Sequence, residues 1–244
     1  MKRWMKEFRR FVWVMGALAL FNCFLTGNAV ADKKMFRIGS ASLGSAGYIH
    51  WEACAFLTNK YASDLKASSL STGGSTEATI LLDQGKIELA HGTSLEVISA
   101  HAGTQPFKKK MEPWQVFSWT YFLNPMVALA DSGLNTYYDL KGKSVSLIKK
   151  GAGVESMYQI ILEEYGILKD LKKNYLSFDE SKDALIDKLI VAFPSNYPGG
   201  KPHPIMIDLG SRVKFKVLEL DLEVMKKVNQ RHKGIMVGML PKSA

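Results

Sequence analysis

The stretch Leu70-Ser71-Thr72-Gly73-Gly74-Ser75-Thr76-Glu77 decides how this chain is read. Residues 66–71 read as a short strand, and an amphipathic segment, 76–84, leaves the turn. The two glycines permit a tight turn and leave amides uncovered. Ser75 stands where a helix N-cap is expected. Free amides at a helix start carry partial positive charge and suit an anion such as a carboxylate. The turn therefore reads as one half of a small-ligand site. The same residues also suit an ordinary capped strand-to-helix turn.

The flanking sequence repeats the pattern. Residues 36–40 read as a strand, followed by a loop of small residues, Ala41-Ser42-Leu43-Gly44-Ser45-Ala46-Gly47. Ile49, Ala53, Phe56, Leu57 and Tyr61 then recur at helical spacing. Gly85 closes the helix after the central turn. Residues 87–90 read as a third strand, Gly92-Thr93-Ser94 as its loop, and 95–102 as a helix closed by Gly103. Three successive strands thus end in hydroxyl-rich loops. In a parallel α/β sheet such loops gather at one edge, where ligands bind.

A mostly apolar passage, 117–130, broken by Asn124-Pro125, leads into a second half. Asp139-Leu140-Lys141-Gly142-Lys143 precedes a strand at 144–148, a loop Lys149-Lys150-Gly151-Ala152-Gly153 and a helix at 154–165 stopped by Gly166. The lysines precede the glycines and no Gly-Lys-Ser/Thr ending follows, which excludes a P-loop. Residues 175–178 read as a short strand and 181–188 as a helix with Ala184, Leu185 and Leu189 inward. Residues 189–193 read as a buried strand and 194–200 as a turn-rich loop. A short helix with Pro in its first turn is expected at 204–209, an outer strand at 214–220 and a helix at 222–230.

The 244 residues, 47% of them hydrophobic, suffice for one large domain or two lobes with packed cores. Lys2, Arg3, Lys6, Arg9 and Arg10 form a basic head, 11–25 is an apolar run, and Ala29-Val30-Ala31 is a small-x-small cleavage site. This is the pattern of a secretory signal peptide, with a run shorter than the ~20 residues of a spanning helix. Bulky or polar Phe21 and Asn22 argue against lipidation at Cys23. Removing residues 1–31 takes away five basic residues and one acidic residue, lowering the net charge from +9 to +5. No basic run interleaves with aromatics, so nucleic acid is not an expected partner. Cys54 alone remains, which excludes an intrachain disulfide; among Ala53, Ala55 and Phe56 it reads as a small hydrophobe.

The order of these motifs resembles the TAXI family of extracytoplasmic solute receptors, the substrate-binding subunits of TRAP transporters. The resemblance spans residues 35–240 and rests on the Gly-Tyr pair of the first loop, Ser71-Thr72-Gly73-Gly74-Ser75, Asp139-Leu140-Lys141-Gly142-Lys143, Gly151-Ala152-Gly153 and Tyr175-Leu176-Ser177-Phe178. It implies an α/β, two-lobed periplasmic-binding-protein-like fold of type II, with 32–125 as first lobe and 126–244 as second. It implies a periplasmic receptor for a small anionic or zwitterionic solute, a carboxylate or a glutamate-like amino acid, and a sodium-coupled TRAP permease as membrane partner. Carried over by position, the ligand-binding residues are Ser40, Ser42 and Tyr48 from the first loop. Thr72, Gly73 and Ser75 come from the second, Thr93 from the third, and Gly153 and Val154 from the facing lobe. Tyr197 matches the family's Tyr-Pro near the cleft.

Three departures qualify the match. Leu43 and Ala46 replace residues of a family loop that usually carries a glycine pair and Thr. Gly151-Ala152-Gly153-Val154 stands where Gly-Ser-Gly-Thr is common, with two hydroxyls fewer. The sequence ends just after Pro241, ahead of the strand and helices with which family members return to the first lobe, so the expected fold lacks that return segment. Two rival readings are a periplasmic sensor or degenerate paralogue without transport, and a secreted hydrolase. No Gly-x-Ser-x-Gly elbow is present, and Ser63-x-x-Lys66 and Ser146-x-x-Lys149 lack companion motifs. His50, His91, His101, His203 and His232 are scattered without metal-ligand spacing. Neither a metal nor another cofactor is expected.

Overall fold

In the computed structural model the described residues are 33–239. The basic head, the apolar run, Cys23 and the small-x-small site lie outside them. Residues 35–239 group as one compact unit. The N-terminal sheet holds β1 (Lys34–Gly39), β2 (Leu65–Leu70) and β3 (Leu89–Ala90) in the order β2-β1-β3. β1 and β3 run parallel, with Ile38 opposite Leu89. Helices α1 (Ala46–Tyr61), α2 (Ser75–Asp83) and α3 (Ser94–Ala102) follow the three strands. Each starts just beyond a strand end, so three turns share one edge.

α1 forms where the spacing places it, but that stripe faces away from the core. Ile49, Phe56, Leu57 and Tyr61 are all at least half exposed. Trp51 and Ala55 are the buried pair, packed on Ile38 of β1 and Ala67 of β2 with half-buried Cys54 alongside. One wide ring between small side chains lets the helix lie close to the sheet, and that contact outweighs the greater apolar count of the other face.

The C-terminal half is built around β5 (Met126–Leu129), the middle strand of an antiparallel sheet between β10 (Phe215–Val217) and β8 (Phe193–Pro194). β6 (Ser144–Ser146) pairs in parallel with β7 (Lys172–Asn174). β4 (Phe122–Leu123) pairs antiparallel with β9 (Tyr197–Pro198). Four helices pack here: α4 (Gly153–Glu164), α5 (Phe178–Ile186), α6 (Pro204–Arg212) and α7 (Leu222–Arg231). α6 carries the expected Pro at its start, and α7 is capped by Asp221, which accepts from Glu223 and Val224. The larger core includes Met126, Val145, Leu147, Tyr158, Leu162 and Val228.

Two sequence expectations fail here. The strand expected at 175–178 sits earlier, at β7, because Ser177 caps α5 in a box with Glu180 and forces the helix to begin at Phe178. Leu189 is exposed: Lys188 has a positive φ of 58°, which ends the helix before Leu189 can join its inner face.

A chain of hydroxyls holds the passage between the halves. Tyr137 Oη accepts from Met126 N–H at 3.1 Å and bonds Tyr158 Oη at 2.9 Å; Tyr158 donates to the Asn124 carbonyl at 2.5 Å. Ser195 donates to the Pro125 carbonyl through both its amide and its Oγ, and Asn124 Nδ2 donates to the Ser195 carbonyl. The two segments around Pro125 and Ser195 are thereby tied side by side.

His91, on the loop after β3, is buried and accepts from Trp51 Nε1 at 3.2 Å. Burial, and to a lesser degree the nearby His50, push its pKa down to about 4. The unfolded chain takes up this proton near 6.5 and the folded chain only near 4, so stability falls as pH drops through that window. The effect is on the order of 3 kcal/mol at its full extent. His91→Gln is expected to flatten the melting temperature between pH 7 and pH 4 relative to the parent chain. For α1, Trp51→Ala should cost about 3–5 kcal/mol in urea unfolding. Phe56→Ala should stay within about 0.5 kcal/mol; the opposite order would show that α1 packs through its other face.

Candidate functional site

The first two turns are knitted together by their own hydroxyls. Ser40 Oγ donates to the Leu70 carbonyl at 2.8 Å, and Thr72 Oγ1 donates to the Ser40 carbonyl at 2.5 Å. Ser42 Oγ donates to the Gly73 carbonyl at 2.8 Å. Ser45, the N-cap of α1, accepts from Tyr48 N–H. The Gly73 amide donates to the Glu77 carboxylate at 2.5 Å. The amide expected to receive an external anion is thus held by an acid from the chain's own α2.

Ser75 is not the cap of α2. Gly74 is, with φ 151° and ψ −169°, and Ser75 is the first helical residue. That backbone region is open to glycine almost alone, so the turn is made one residue earlier than the side-chain chemistry suggests.

The Gly73–Ser75 turn rests directly on the turn before α4. A β-carbon on Gly74 would lie 2.4 Å from Ala152 Cα, and one on Gly153 would lie 2.3 Å from Ser75 Oγ and 2.7 Å from Glu96 Oε1. Glu96 is fully buried. It closes a capping box on Thr93, accepting from Thr93 N–H at 2.9 Å and from the Thr93 hydroxyl, and it accepts from Thr76 Oγ1 at 3.3 Å. Thr76 also bonds Ser156 Oγ of α4 at 3.2 Å.

Two cavities flank this contact. The larger, about 1060 Å³, runs along β3 and is walled by Trp51, the extended Met111-to-Asn124 segment, Gly153, Val154, Met157 and the end of the described chain. The smaller, about 40 Å³, lies between the first turn (Ser42, Leu43, Gly44, Ser45) and Ile148, Lys149, Ser177, Phe178, Asp179 and Ile205. Three helix starts meet at this small space. Ser45 caps α1, Ser177 caps α5, and Ile205 is the second residue of α6. Each start brings partial positive charge, and Lys149 adds a full one. Asp179 supplies a carboxylate on the same wall.

The residues expected to bind ligand therefore separate into groups. Ser42 lines the small cavity. Thr93, Gly153 and Val154 line the large one. Ser40, Thr72, Gly73 and Ser75 lie in the turn network between, with Ser40 and Ser75 buried. Tyr48 sits on the first turn of α1; its hydroxyl pKa is raised by desolvation and then by Glu52 one turn on. Tyr197 is buried in the core beside Phe193 and Met206, its own burial raising its pKa. Ser146 is fully buried with its Oγ 2.8 Å from that of Ser181. Glu96 and the Ser177–Asp179 wall were missed, although Thr93-x-x-Glu96 and Ser177-x-x-Glu180 are both legible as capping boxes. Among the described residues no group of three or more His, Cys, Asp or Glu side chains could hold a metal ion. No helix among them is long and apolar enough to cross a membrane.

Residues 38–243 match the model of the NMT1-like family. The chain belongs to that family. Its fold is similar to lactococcal OpuAC in its closed-liganded conformation with glycine betaine, at 13% identity and a TM-score of 0.53, covering 79% of this chain and 73% of that one. It is also similar to the alkanesulfonate-binding protein SsuA from Xanthomonas axonopodis pv. citri bound to MOPS, at 17% identity and a TM-score of 0.50, covering 78% of this chain. Against the aliphatic sulphonate binding protein SsuA from Escherichia coli the identity is 18%, the TM-score 0.46 and the coverage 77% of this chain. The chain spans 61% and 57% of the lengths of these two SsuA proteins. The NMT1-like chain has the α/β, two-lobed periplasmic-binding-protein fold of type II.

Gly153 begins α4, where Gly→Ala ordinarily stabilises a helix. Here the added methyl meets Ser75 and Glu96, so Gly153→Ala is expected to destabilise by about 1–3 kcal/mol, measured as a lower urea midpoint with unchanged slope. A stabilised variant would mean that the two turns do not touch in solution.

Proposed function

We propose that this NMT1-like protein is an extracytoplasmic solute receptor that captures a small carboxylate or amino acid between its lobes and delivers it to a membrane permease of the TRAP type. The observation that carries the reading is the meeting of three helix starts and Lys149 at the small cavity between Ser42–Ser45 and Ser177–Asp179. Converging amide dipoles and one ammonium favour an anionic oxygen. Asp179 on the same wall, one oxygen of which lies 3.5 Å from Lys182 Nζ, adds a carboxylate that an amino group can share, which favours a zwitterion over a simple dicarboxylate. The neighbours' fold supports the reading: OpuAC was captured with glycine betaine and the Xanthomonas SsuA with MOPS.

In this reading the lobes are 32–125 and 126–244, and residues 1–31 are a cleaved export signal placing the receptor in the periplasm. A cavity of about 40 Å³ holds one water, so the solute enters with the lobes parted. The natural hinge is the pair of segments tied at Pro125 and Ser195. Closure then excludes water and strengthens each polar contact.

Calorimetry with the amino acids and small dicarboxylates tests the proposal. At least one should bind with a rise in melting temperature and no chemical change. Lys149→Met should weaken that binding tenfold or more while leaving the solute-free melting temperature within a degree or two. Folded protein that binds no member of the panel would overturn the receptor reading.

A further inference from the structure

Two buried polar atoms of the second lobe have no hydrogen-bond partner among the described residues: Asn196 Oδ1 and His203 Nε2. Both residues are more than nine-tenths buried. They close one loop, since His203 N–H donates to the Asn196 carbonyl at 3.1 Å. Leaving a buried donor or acceptor unmade costs about 1–3 kcal/mol, so two in one loop need a reason.

Their position supplies it. Asn196 follows Ser195, the residue doubly bonded to the Pro125 carbonyl at the hinge. His203 is the N-cap of α6, two residues before Ile205 on the wall of the small cavity. Its ring lies within electrostatic reach of Asp179 on that wall and of His50 on α1 across the seam. The loop therefore lies behind the wall of the small cavity, between the hinge and the converging helix starts, without itself lining that cavity.

The chemistry of the ring is fixed by its other nitrogen. His203 Nδ1 accepts from the Ile205 amide at 3.4 Å, so in the neutral ring the proton is on Nε2. Burial lowers the pKa of this histidine, which keeps the ring neutral near pH 7. The loop behind that wall thus holds one N–H donor and one amide oxygen acceptor, both buried.

The geometry points to Asn196 and His203 as residues that meet the solute once the lobes part to admit it, His203 Nε2–H donating to an acid oxygen and Asn196 Oδ1 accepting from an amino group beside it. This rests on the receptor reading above and adds a specificity to it. The pair selects acids that carry a hydrogen-bond donor next to the carboxylate, as amino acids do, over the same acids without it. A site built to pair a donor rejects the analogue lacking it strongly, because the acceptor is then left bare.

The test is calorimetry on the full chain with two matched pairs of probes, L-glutamate against glutarate and L-alanine against propionate. In at least one pair the amino member should bind tenfold or more tighter. Asn196→Leu should bring that ratio below threefold by weakening the amino member alone. Asn196→Asp, nearly isosteric, should widen the ratio at least tenfold, which keeps the test open should the Leu variant not fold. His203→Asn, which retains a capping side chain, should weaken both members about tenfold. Variants that fold and bind both members as the parent does would overturn the assignment alone, and the two atoms would then be served by buried water. A parent chain that binds amino acids and their deaminated analogues equally would overturn it too. A folded parent that binds neither pair nor any other small acid would overturn the receptor reading and this assignment with it.

Discussion

Gly74 and Ala152 lie closer together than any two residues with side chains could. Gly74 carries no β-carbon and adopts a backbone conformation that an L-side chain would clash out of, and both freedoms are used at once. The approach brings Ser75 of the first lobe against Gly153 of the second, so the start of α2 and the start of α4 share one surface. The positions of the remaining turns follow. The first turn is tied to the second by Ser40, Ser42 and Thr72, and the third is tied to it through Glu96 and Thr76.

Glu96 makes that arrangement expensive to disturb. A carboxylate taken out of water needs donors on every side. Thr93 supplies its amide and its hydroxyl, Thr76 a second hydroxyl, and the start of α3 a favourable dipole. Displacing α3 from α2 would strip this buried carboxylate of the Thr76 hydroxyl, which costs about 1–3 kcal/mol. The hydroxyls of Thr76 and Thr93 therefore act first as the solvation of Glu96, a structural duty that a Ser/Thr-rich loop does not announce.

Much of the fold was legible because local chemistry settles it. Gly85, Gly103 and Gly166 end helices with positive φ, as their place after an apolar segment indicates. Pro204 opens α6, and the alternation before Leu220 marks the outer strand β10. What failed depended on contacts distant in sequence. The exposed stripe of α1 is as periodic as a buried one, and only the sheet beneath Trp51 decides which face turns inward. Ser75 is a better cap than Gly74 by intrinsic preference, but the lobe contact requires a residue without a side chain at 74, and the helix start moves with it. Asn196 and His203 gave no signal in sequence, since a Pro- and Gly-rich turn conceals which of its polar atoms find partners.

The sequence placed the anion at the glycine-rich turn, and that turn does attract one: Glu77 occupies the Gly73 amide. A single helix start with its own acid at N3 is a closed electrostatic circuit, with little field left for a visitor. The small cavity differs in kind. α1, α5 and α6 reach it from both lobes, and Lys149 stands on its wall with the Glu180 carboxylate within electrostatic reach. The caps of α1 and α5 are serines, whose neutral hydroxyls accept from Tyr48 and Glu180 amides without cancelling the dipole. In the proposed receptor, whose lobes also meet at Gly74 and Ala152, closure assembles the summed field of these helix starts and opening disperses it. In that reading the same motion that excludes water switches on the attraction for an acid, and small, individually weak helix ends serve to hold a charged solute and still let it go.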